Sequence, residues 1–374
     1  MTSEMAAAAV VQEFPESTNQ RLVSSSEIAV EDQTRCRFYR TCSWRPTSER
    51  LLQAAEARIL RFIKTHYESK YVPLEDNQKI RTLKVNPNAT KVPLVMIHGF
   101  GAGLGFWAMN VDALAKERTV YAFDVLGFGR SSRPHFSSKA EEAESQFVES
   151  IEQWRHQVGL EKFVLLGHSF GGYLASSYAL KHPSRVQHLV LVDAWGFPEK
   201  PSELEFTIPW WVKALATVSR FFNPFAGIRA AGPWGPSLVQ RFRPDLQRKY
   251  SRLLSDESDD TIFNYIYHCN AQKPSGETAF KNMNVSYGWA KFPMIDRISD
   301  VDKNIPITMI HGSESWISVE SSYQTKYLRK DSFVDIRIIV DAGHHVYADQ
   351  PDNFNKLVDK ICRKEDRKTN AVTH

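Results

Sequence analysis

The stretch from residue 162 to 182 limits the possible folds of this chain more than any other. A short apolar run, Phe163 to Leu166, has the character of a parallel strand buried on both faces. It ends at Gly-His-Ser-Phe-Gly, residues 167–171, and a helical pattern rich in small residues then continues to Pro183. This order indicates a nucleophile elbow, a tight turn that presents Ser169 as a nucleophile. Because five-residue patterns recur by chance, a plain strand-to-helix turn is the alternative, and the rest of the chain must decide.

Other runs of strand character lie on both sides of this turn. They are Ile80 to Val85, Val92 to Ile97, Thr119 to Phe123, Val186 to Val192, Ile305 to Ile310 and Val334 to Val340. Helical patterns, such as residues 146–158, alternate with them. The alternation predicts an α/β protein with a mostly parallel, doubly wound sheet. Together with the elbow, it indicates the alpha/beta-hydrolase fold, and 374 residues suffice for one such domain with an insertion.

The alternation breaks in one long segment, which we predict to be a helical cap or lid inserted after the sixth strand. The predicted domain boundaries are a disordered N-terminal arm (1–43), the first part of the hydrolase core (44–197), the cap (198–303), the second part of the core (304–364) and a polar tail (365–374).

Aromatic residues are frequent in the predicted cap, interleaved with proline and glycine. Some must be ordinary core residues, but a cap over an elbow encloses an apolar cavity. We therefore expect Trp210, Trp211 and Trp234 to bind substrate. The cap also carries basic residues suited to phosphate headgroups or to a solvated helix face, namely Arg241, Arg243, Arg248, Lys249 and Arg252.

A second glycine motif, His98-Gly99-Phe100-Gly101, follows the strand that ends at Ile97. In an alpha/beta hydrolase, a His-Gly-x-Gly run at this point places a backbone N–H beside the reacting carbonyl. Phe100 and Phe170 are therefore the predicted donors of an oxyanion hole. Glycine-rich turns also bind phosphates, but no Gly-Lys-Ser/Thr follows and the spacing does not fit Gly-x-Gly-x-x-Gly, so nucleotide binding is the weaker interpretation.

A pair of histidines follows the last predicted strand, where this fold supplies its general base. His344 comes directly after Gly343 and is preferred over His345. A lone histidine is usually structural, but the elbow, the oxyanion loop and the Gly-His pair occur in the expected chain order. His344 also begins a His-x-x-x-x-Asp pattern with Asp349, which we expect to be the N-cap of the last helix.

Composition and charge exclude several classes of partner. The net charge of +4 is too diffuse to indicate nucleic acid. No run of about 20 apolar residues suggests a membrane span, and the first residues lack the basic region of a secretory signal. The cysteines at 36, 42, 269 and 362 show no metal spacing, so we expect no metal or cofactor and free thiols in a cytoplasmic protein, with a Cys36 to Cys42 disulfide left open.

Longer motifs extend across most of the chain, at residues 43–48 (SWRPTS), 126–134 (LGFGRSSRP), 265–270 (YIYHCN), 274–277 (PSGE) and 345–351 (HVYADQP). From about Trp44 to Cys362, the sequence resembles the alpha/beta-hydrolase-domain subfamily of the N-acylphosphatidylethanolamine lipase and the adipose triglyceride lipase coactivator. The resemblance implies a lipase, because the lipase branch keeps serine in the elbow where the coactivator branch typically has asparagine. It also implies an acyltransferase activity associated with the pattern from His344 to Asp349.

The sequence departs from this family at the acid of the catalytic triad. The resemblance places an aspartate in the turn after the seventh strand, where this chain has Ser318, and the usual Gly-x-x-Asp position is Ser315. Glu314, Glu320 and Asp193 are the candidates for a carboxylate that orients the histidine. Loss of the acid alone costs about 10⁴-fold in rate, so a slow lipase and a non-catalytic scaffold both stay open.

Two functions follow as expectations. The first is a serine hydrolase that acts on acyl-glycerophospholipids, such as N-acylphosphatidylethanolamine or a lysophospholipid, at a peripheral membrane or lipid-droplet surface. The second, implied by the resemblance, is a lipid-droplet coactivator that binds a triglyceride lipase or a droplet-coat protein and has lysophosphatidic acid acyltransferase activity. Adsorption would use the cap and the amphipathic helix predicted from Ser48 to Ile63.

Overall fold

A central eight-stranded sheet organises the protein, in the strand order β1-β2-β4-β3-β5-β6-β7-β8. Strands β1 and β2 are antiparallel to their neighbours, and β3 to β8 are parallel. The strands are β1 (Tyr67–Pro73), β2 (Lys79–Val85), β3 (Lys91–Ile97), β4 (Arg118–Phe123), β5 (Phe163–His168), β6 (Val186–Val192), β7 (Ile307–Gly312) and β8 (Val334–Ile339). The predicted doubly wound α/β sheet is confirmed.

The structure is a computed structural model that describes residue 44 and residues 47–201, 223–254, 259–285 and 288–372. The predicted arm at 1–43 and both Trp210 and Trp211 therefore lie outside the described residues. The α-helices in the described part are α1 (Glu49–Leu60), α2 (Val111–Leu114), α3 (Ala140–Val158), α4 (Phe170–Lys181), α5 (Ala226–Ala230), α6 (Gly235–Phe242), α7 (Asp245–Lys249), α8 (Thr261–Asn270), α9 (Gly276–Asn282), α10 (Glu320–Leu328), α11 (Val346–Asp349) and α12 (Pro351–Val372).

Both faces of the sheet are covered, because successive residues of the inner strands enter different hydrophobic cores. On β3, Leu94 packs into one core and Val95 into the other. Val164 and Leu165 divide in the same way on β5. This explains why the inner strands are continuous apolar runs rather than alternating ones.

Helix α1 begins where the sequence predicts, with the Ser48 hydroxyl accepting a hydrogen bond from the Leu51 backbone N–H at 3.2 Å. Its apolar side chains, among them Leu52 and Ile59, are buried in the core. The expectation that this helix helps adsorption to a membrane is therefore wrong, since its apolar face is already covered.

Two other elements differ from the sequence prediction. The antiparallel edge strand β1 was not predicted, because its sequence lacks an apolar pattern. Three successive residues of its seven are exposed. The region from 365 is not a separate polar tail, because α12 continues to Val372. Glu365 contacts His188 at 3.0 Å, and Asp366 forms a two-contact ion pair with Arg118, so charged residues of the predicted tail are partnered inside the fold.

The cap elements lie between β6 and β7, where the insertion was predicted. Helix α8 packs against α1 and α6, which joins the cap to the core. None of the helices in the described ranges has the length and apolar character needed to cross a membrane.

Candidate active site

Ser169 lies on a strained turn between β5 and α4. Its φ of +53° and ψ of −120° are unusual for a residue other than glycine. The flanking glycines make the turn possible: a Cβ on Gly167 would lie 2.2 Å from the carbonyl oxygen of Gly171, and a Cβ on Gly171 would lie 2.5 Å from the carbonyl oxygen of His98. The local geometry is that of a nucleophile elbow.

The structure brings Ser169 and His344 together. The Oγ of Ser169 is 3.0 Å from the Nε2 of His344, which is hydrogen-bond distance. Burial above all, together with the nearby His168 and Lys249, lowers the pKa of His344 to about 2. The ring is therefore neutral at physiological pH, which is the state required of a general base. The exposed Trp316 lies against it, with the ring centroids 4.9 Å apart.

His168, the residue before Ser169, supports the histidine loop. Its Nε2 donates a hydrogen bond to the backbone carbonyl of His344 at 2.9 Å. Burial lowers the pKa of His168 to about 4, so the ring is neutral at physiological pH. The pattern Gly-x-Ser-x-Gly leaves this position free, and sequence analysis assigned it no role.

Of the candidate acids, Asp193 has its carboxylate nearest to His344. Asp193 directly follows β6, is fully buried and has a φ of +41°. Its Oδ2 lies 3.8 Å from the Nδ1 of His344. That distance exceeds a hydrogen bond, yet both atoms are buried, and neither has a hydrogen bond of normal length to any described residue. A closure of about 1 Å would satisfy both atoms, and catalytic contacts are often long before substrate binds.

Burial raises the pKa of Asp193, while hydrogen bonding from His311 opposes the rise. The hydroxyl of Ser315, which occupies the usual acid position, also lowers the pKa of Asp193. Ser315 therefore contributes a polar contact to a carboxylate from the preceding strand rather than supplying the acid itself.

The two glutamate candidates lie in other surroundings. Glu314 has an exposed side chain, and its backbone N–H donates to the carbonyl of Ala342 at 2.9 Å. Glu320 is exposed at the first position of α10, where its backbone N–H donates to the hydroxyl of Ser318 at 3.1 Å. In the structure, the position matched to the family aspartate is thus an exposed serine whose hydroxyl accepts a hydrogen bond from the first residue of α10.

The His-Gly-x-Gly loop lies directly beside the nucleophile. A Cβ on Gly99 would lie 3.0 Å from the Cβ of Ser169, so Phe100 follows a residue in close contact with the elbow. Phe170 is the first residue of α4, where backbone N–H groups have no partner within the helix. Of the two predicted oxyanion-hole donors, Phe170 thus follows Ser169 in the chain, and Phe100 follows a glycine that contacts Ser169.

A network around Asp124 fixes this loop. The two carboxylate oxygens of Asp124 accept hydrogen bonds from the backbone N–H groups of Leu104 and Arg130, each at 2.7 Å. His98 accepts from the Val125 N–H at 3.0 Å and donates to the Gly99 carbonyl at 2.8 Å. Asp124 thus holds two turns together.

Asp349 holds the histidine loop, which contains Gly343 and His344, rather than capping the long helix α12. Its Oδ2 accepts a hydrogen bond from the Gly343 backbone N–H at 3.0 Å and pairs with the Nζ of Lys249 at 3.1 Å. Lys249 ends the cap helix α7 and also pairs with Asp245 at 3.2 Å. The carboxylate of the His-x-x-x-x-Asp pattern therefore ties the loop next to His344 to the cap.

A cavity of about 290 Å³ lies between the His-Gly-x-Gly loop and the cap. Its walls are mainly apolar and include Phe100 from the oxyanion loop, Phe225 and Leu238 from the cap, and His345. The ring of Phe225 stacks on that of Phe100, with 4.8 Å between centroids. His345 thus faces the cavity while His344 faces Ser169, which separates the roles of the two neighbouring histidines.

Trp234, a predicted substrate-binding residue, does not line this cavity. It is 65% exposed on the outside of the cap and packs edge-on against Trp44, with 5.6 Å between centroids. In the predicted basic cluster, Arg243 lines the cavity and pairs with Asp245 at 2.9 Å. The exposed Arg252 pairs with Asp352 at 3.0 Å.

Comparison with known proteins agrees with this geometry. Residues 92–351 match the family described as alpha/beta hydrolase fold. A human protein named 1-acylglycerol-3-phosphate O-acyltransferase ABHD5 is 53% identical over 319 residues, which cover 84% of this chain and 90% of that protein. A human protein named (Lyso)-N-acylphosphatidylethanolamine lipase is 52% identical over 324 residues, which cover 86% of this chain and 94% of that protein.

Solved structures show the same architecture. A membrane phospholipase A described as a bacterial virulence factor has a TM-score of 0.60 at 21% identity, over 91% of this chain and 96% of that chain. The naproxen esterase of Bacillus subtilis has a TM-score of 0.60 at 14% identity, over 83% of this chain and 96% of that chain. At these identities, the likeness concerns the fold.

Proposed function

The chain belongs to the alpha/beta hydrolase family, and from this premise we propose that it is a serine hydrolase that releases fatty acids from acyl-glycerophospholipids. The observation that carries the proposal is the 3.0 Å contact between Ser169 Oγ and His344 Nε2 at a strained elbow. The similarity to a relative named (Lyso)-N-acylphosphatidylethanolamine lipase favours N-acylphosphatidylethanolamine or a lysophospholipid as substrate.

The proposed reaction has two half-reactions. In the first, His344 takes the hydroxyl proton of Ser169 as Oγ attacks the ester carbonyl carbon. The backbone N–H groups of Phe100 and Phe170 stabilise the negative oxygen of the tetrahedral intermediate. The intermediate collapses, the C–O bond to the glycerol breaks, and His344 returns its proton to the departing alcohol.

In the second half-reaction, water replaces the alcohol. His344 takes a proton from water as the oxygen attacks the acyl-serine, and the fatty acid leaves with Ser169 restored to its hydroxyl form. Asp193 is the proposed acid that stabilises the protonated ring of His344 from the Nδ1 side. The apolar cavity under the cap is the proposed acyl-chain site.

Acyl transfer is a second candidate activity, favoured by the 53% identity to a relative named 1-acylglycerol-3-phosphate O-acyltransferase. The same acyl-serine would be attacked by the hydroxyl of lysophosphatidic acid instead of water. We propose Asp349 as a support of the histidine loop in this reaction, since its carboxylate contacts Gly343 and Lys249. A role as coactivator of a separate triglyceride lipase would require no reactive serine.

One experiment separates these functions. Purified wild type and Ser169→Ala are compared for labelling by a fluorophosphonate probe, fatty-acid release from N-acylphosphatidylethanolamine and lysophospholipid vesicles, and acyl transfer to added lysophosphatidic acid. We expect Ser169→Ala to lose labelling and release while keeping the unfolding midpoint within a few degrees, because Ser169 carries chemistry rather than packing. Equal release by both proteins would reject the serine hydrolase, and stimulation of a triglyceride lipase by both would support the coactivator.

A further inference from the structure

Asp193 has a second histidine partner that is not part of a standard catalytic triad. His311, on β7, is buried, and its Nδ1 lies 3.1 Å from the Oδ1 of Asp193. Its other nitrogen, Nε2, lies 2.6 Å from the hydroxyl oxygen of Ser322 on α10. An ionised carboxylate accepts but cannot donate, so Nδ1 carries the proton and Nε2 accepts from the serine hydroxyl.

We propose that His311 is a positioning residue for the catalytic reaction, which holds the carboxylate of Asp193 in the orientation that faces His344. This inference rests on the proposed function, because it assigns the triad acid to Asp193. The chain of polar contacts that runs from Ser169 through His344 to Asp193 would then continue to His311 and Ser322.

The backbone places the two side chains next to each other. Strands β6 and β7 are parallel neighbours with Val192 opposite Ile310, and the Asp193 N–H donates to the Ile310 carbonyl at 2.8 Å. Asp193 and His311 therefore lie side by side at the carboxyl end of the sheet, where alpha/beta proteins form their sites.

The two oxygens of the Asp193 carboxylate face different histidines. Oδ1 is engaged by His311, and Oδ2 is directed to the Nδ1 of His344 at 3.8 Å. His311 is the strongest of the polar contacts of Asp193, which also include the Ser315 hydroxyl and the Gly312 backbone, and a donor on one oxygen restricts where the other points. Ser322 in turn fixes the imidazole plane.

The chain contains a matched control at the opposite end of the same strands. His188 on β6 is buried, its Nδ1 is 3.0 Å from Glu365 Oε1, and its Nε2 is 2.9 Å from the hydroxyl of Thr308. It repeats the carboxylate, imidazole and hydroxyl arrangement. His188 lies five positions before Asp193, roughly 16 Å at the usual rise of a strand, so it stabilises the fold without reaching the site.

The test compares His311→Leu, His311→Asn and His188→Leu in the full chain. The measurements are kcat and KM for a p-nitrophenyl ester, the rate of fluorophosphonate labelling, and the unfolding midpoint. We expect His311→Leu to lower kcat roughly 10- to 100-fold with KM changed by less than about twofold, as loss of a hydrogen bond to a charged group predicts. His311→Asn, whose amide nitrogen takes the place of Nδ1, should recover most of the rate.

His188→Leu should lower the unfolding midpoint as much as His311→Leu and leave kcat of the folded protein unchanged. If His311→Leu does not fold, Ser322→Ala is the second test, with an expected loss of about three- to tenfold in kcat. Wild-type kcat in both His311→Leu and Ser322→Ala would overturn the proposal. Equal kcat losses for His311→Leu and His188→Leu would overturn it as well. Failure of the serine hydrolase itself is distinguished by Ser169→Ala, which would then turn over at the wild-type rate.

Discussion

At the scale of single residues, the least usual part of the proposed site is an acid that follows the sixth strand. Asp193 is the fully buried candidate, and its carboxylate faces His344. We predict that Asp193→Asn lowers kcat by about 10³- to 10⁴-fold with little change in KM, because the amide favours the wrong tautomer of the histidine. Steady-state kinetics with a p-nitrophenyl ester measures the effect.

The exposed glutamates are the controls for that prediction. Glu314→Gln and Glu320→Gln should retain wild-type kcat, since the Glu314 side chain is exposed and Glu320 begins α10. A loss of 10³-fold in Glu314→Gln with normal turnover in Asp193→Asn would return the acid to the seventh-strand turn. If all three variants stay active while Ser169→Ala is dead, the site works as a dyad.

The sequence predicts Ser169 and His344 because each is marked by its own neighbours, glycines on both sides of the serine and Gly343 before the histidine. Asp193 carries no such mark. A carboxylate after a strand is common. The role of this one depends on contacts with residues that are distant in the sequence, such as His311, which is 118 residues away. Such contacts become visible only when strand order and register are known.

At the scale of elements, the elbow depends on close passage of β3, β5 and α4. We predict that Gly171→Ala destabilises the protein by about 1–3 kcal/mol or more and lowers activity, because the new Cβ would lie 2.5 Å from the carbonyl oxygens of His98 and Ile97. The displaced backbone belongs to the oxyanion loop. Chemical denaturation and probe labelling measure the two effects.

Gly227→Ala is the matched control. Gly227 lies in α5, and a Cβ there would meet no atom within 4 Å. The substitution should leave labelling unchanged and raise stability by about 0.4–1 kcal/mol through the unfolded chain. Equal effects of the two alanines would mean that the elbow tolerates a wider passage than its geometry indicates.

The buried strands were predictable because each is a short apolar run between turn residues, as in β5 and β6. The edge strand β1 escaped prediction because an edge needs no apolar pattern to pair with β2. Charge misled the prediction at the other end of the chain, where Glu365 and Asp366 look solvent-facing in the sequence but have buried partners. Ion pairing between distant segments leaves no local signature.

At the scale of the whole molecule, buried histidines couple folding to pH. Burial lowers the pKa of His168 to about 4, from an unfolded value near 6.5. Below pH 6.5 the unfolded chain binds a proton that the native ring does not, so stability falls as the pH falls towards 4. The contribution is at most about 1.4 kcal/mol per pH unit for this ring.

We predict that His168→Gln flattens the dependence of the unfolding free energy on pH between about 6.5 and 4 by up to that slope. Glutamine keeps an N–H near the position of Nε2 but does not titrate. Other titrating groups act in both proteins, so the difference reports this ring. Urea denaturation at several pH values measures it, and a variant with a slope as steep as wild type would show that the ring is protonated in the native state.

Adsorption to lipid is the second whole-molecule prediction. Trp234 and Phe242 lie at the two ends of α6, are 65% and 72% exposed, and Phe242 also lines the cavity. We predict peripheral, reversible binding to droplet or endoplasmic-reticulum membranes through this face. The double variant Trp234→Ser with Phe242→Ser should bind phospholipid vesicles at least about tenfold more weakly.

Tyr323→Ser with Tyr327→Ser is the control for vesicle binding, since these aromatic residues are exposed on α10 in the core domain. This pair should leave vesicle flotation unchanged. A stronger loss from the tyrosine pair than from the α6 pair would move the lipid-facing surface to the α10 side of the molecule.

Lys249 gives the cap a thermodynamic connection to the catalytic loop. Its ammonium group and the Gly343 N–H both contact the same carboxylate oxygen of Asp349. The cap and the residue before His344 therefore share a single acceptor. Coupling free energies are reciprocal. We therefore expect a lipid surface that moves the cap to shift the loop next to His344, and we expect a phosphonate fixed on Ser169 to change how readily a protease cuts the cap.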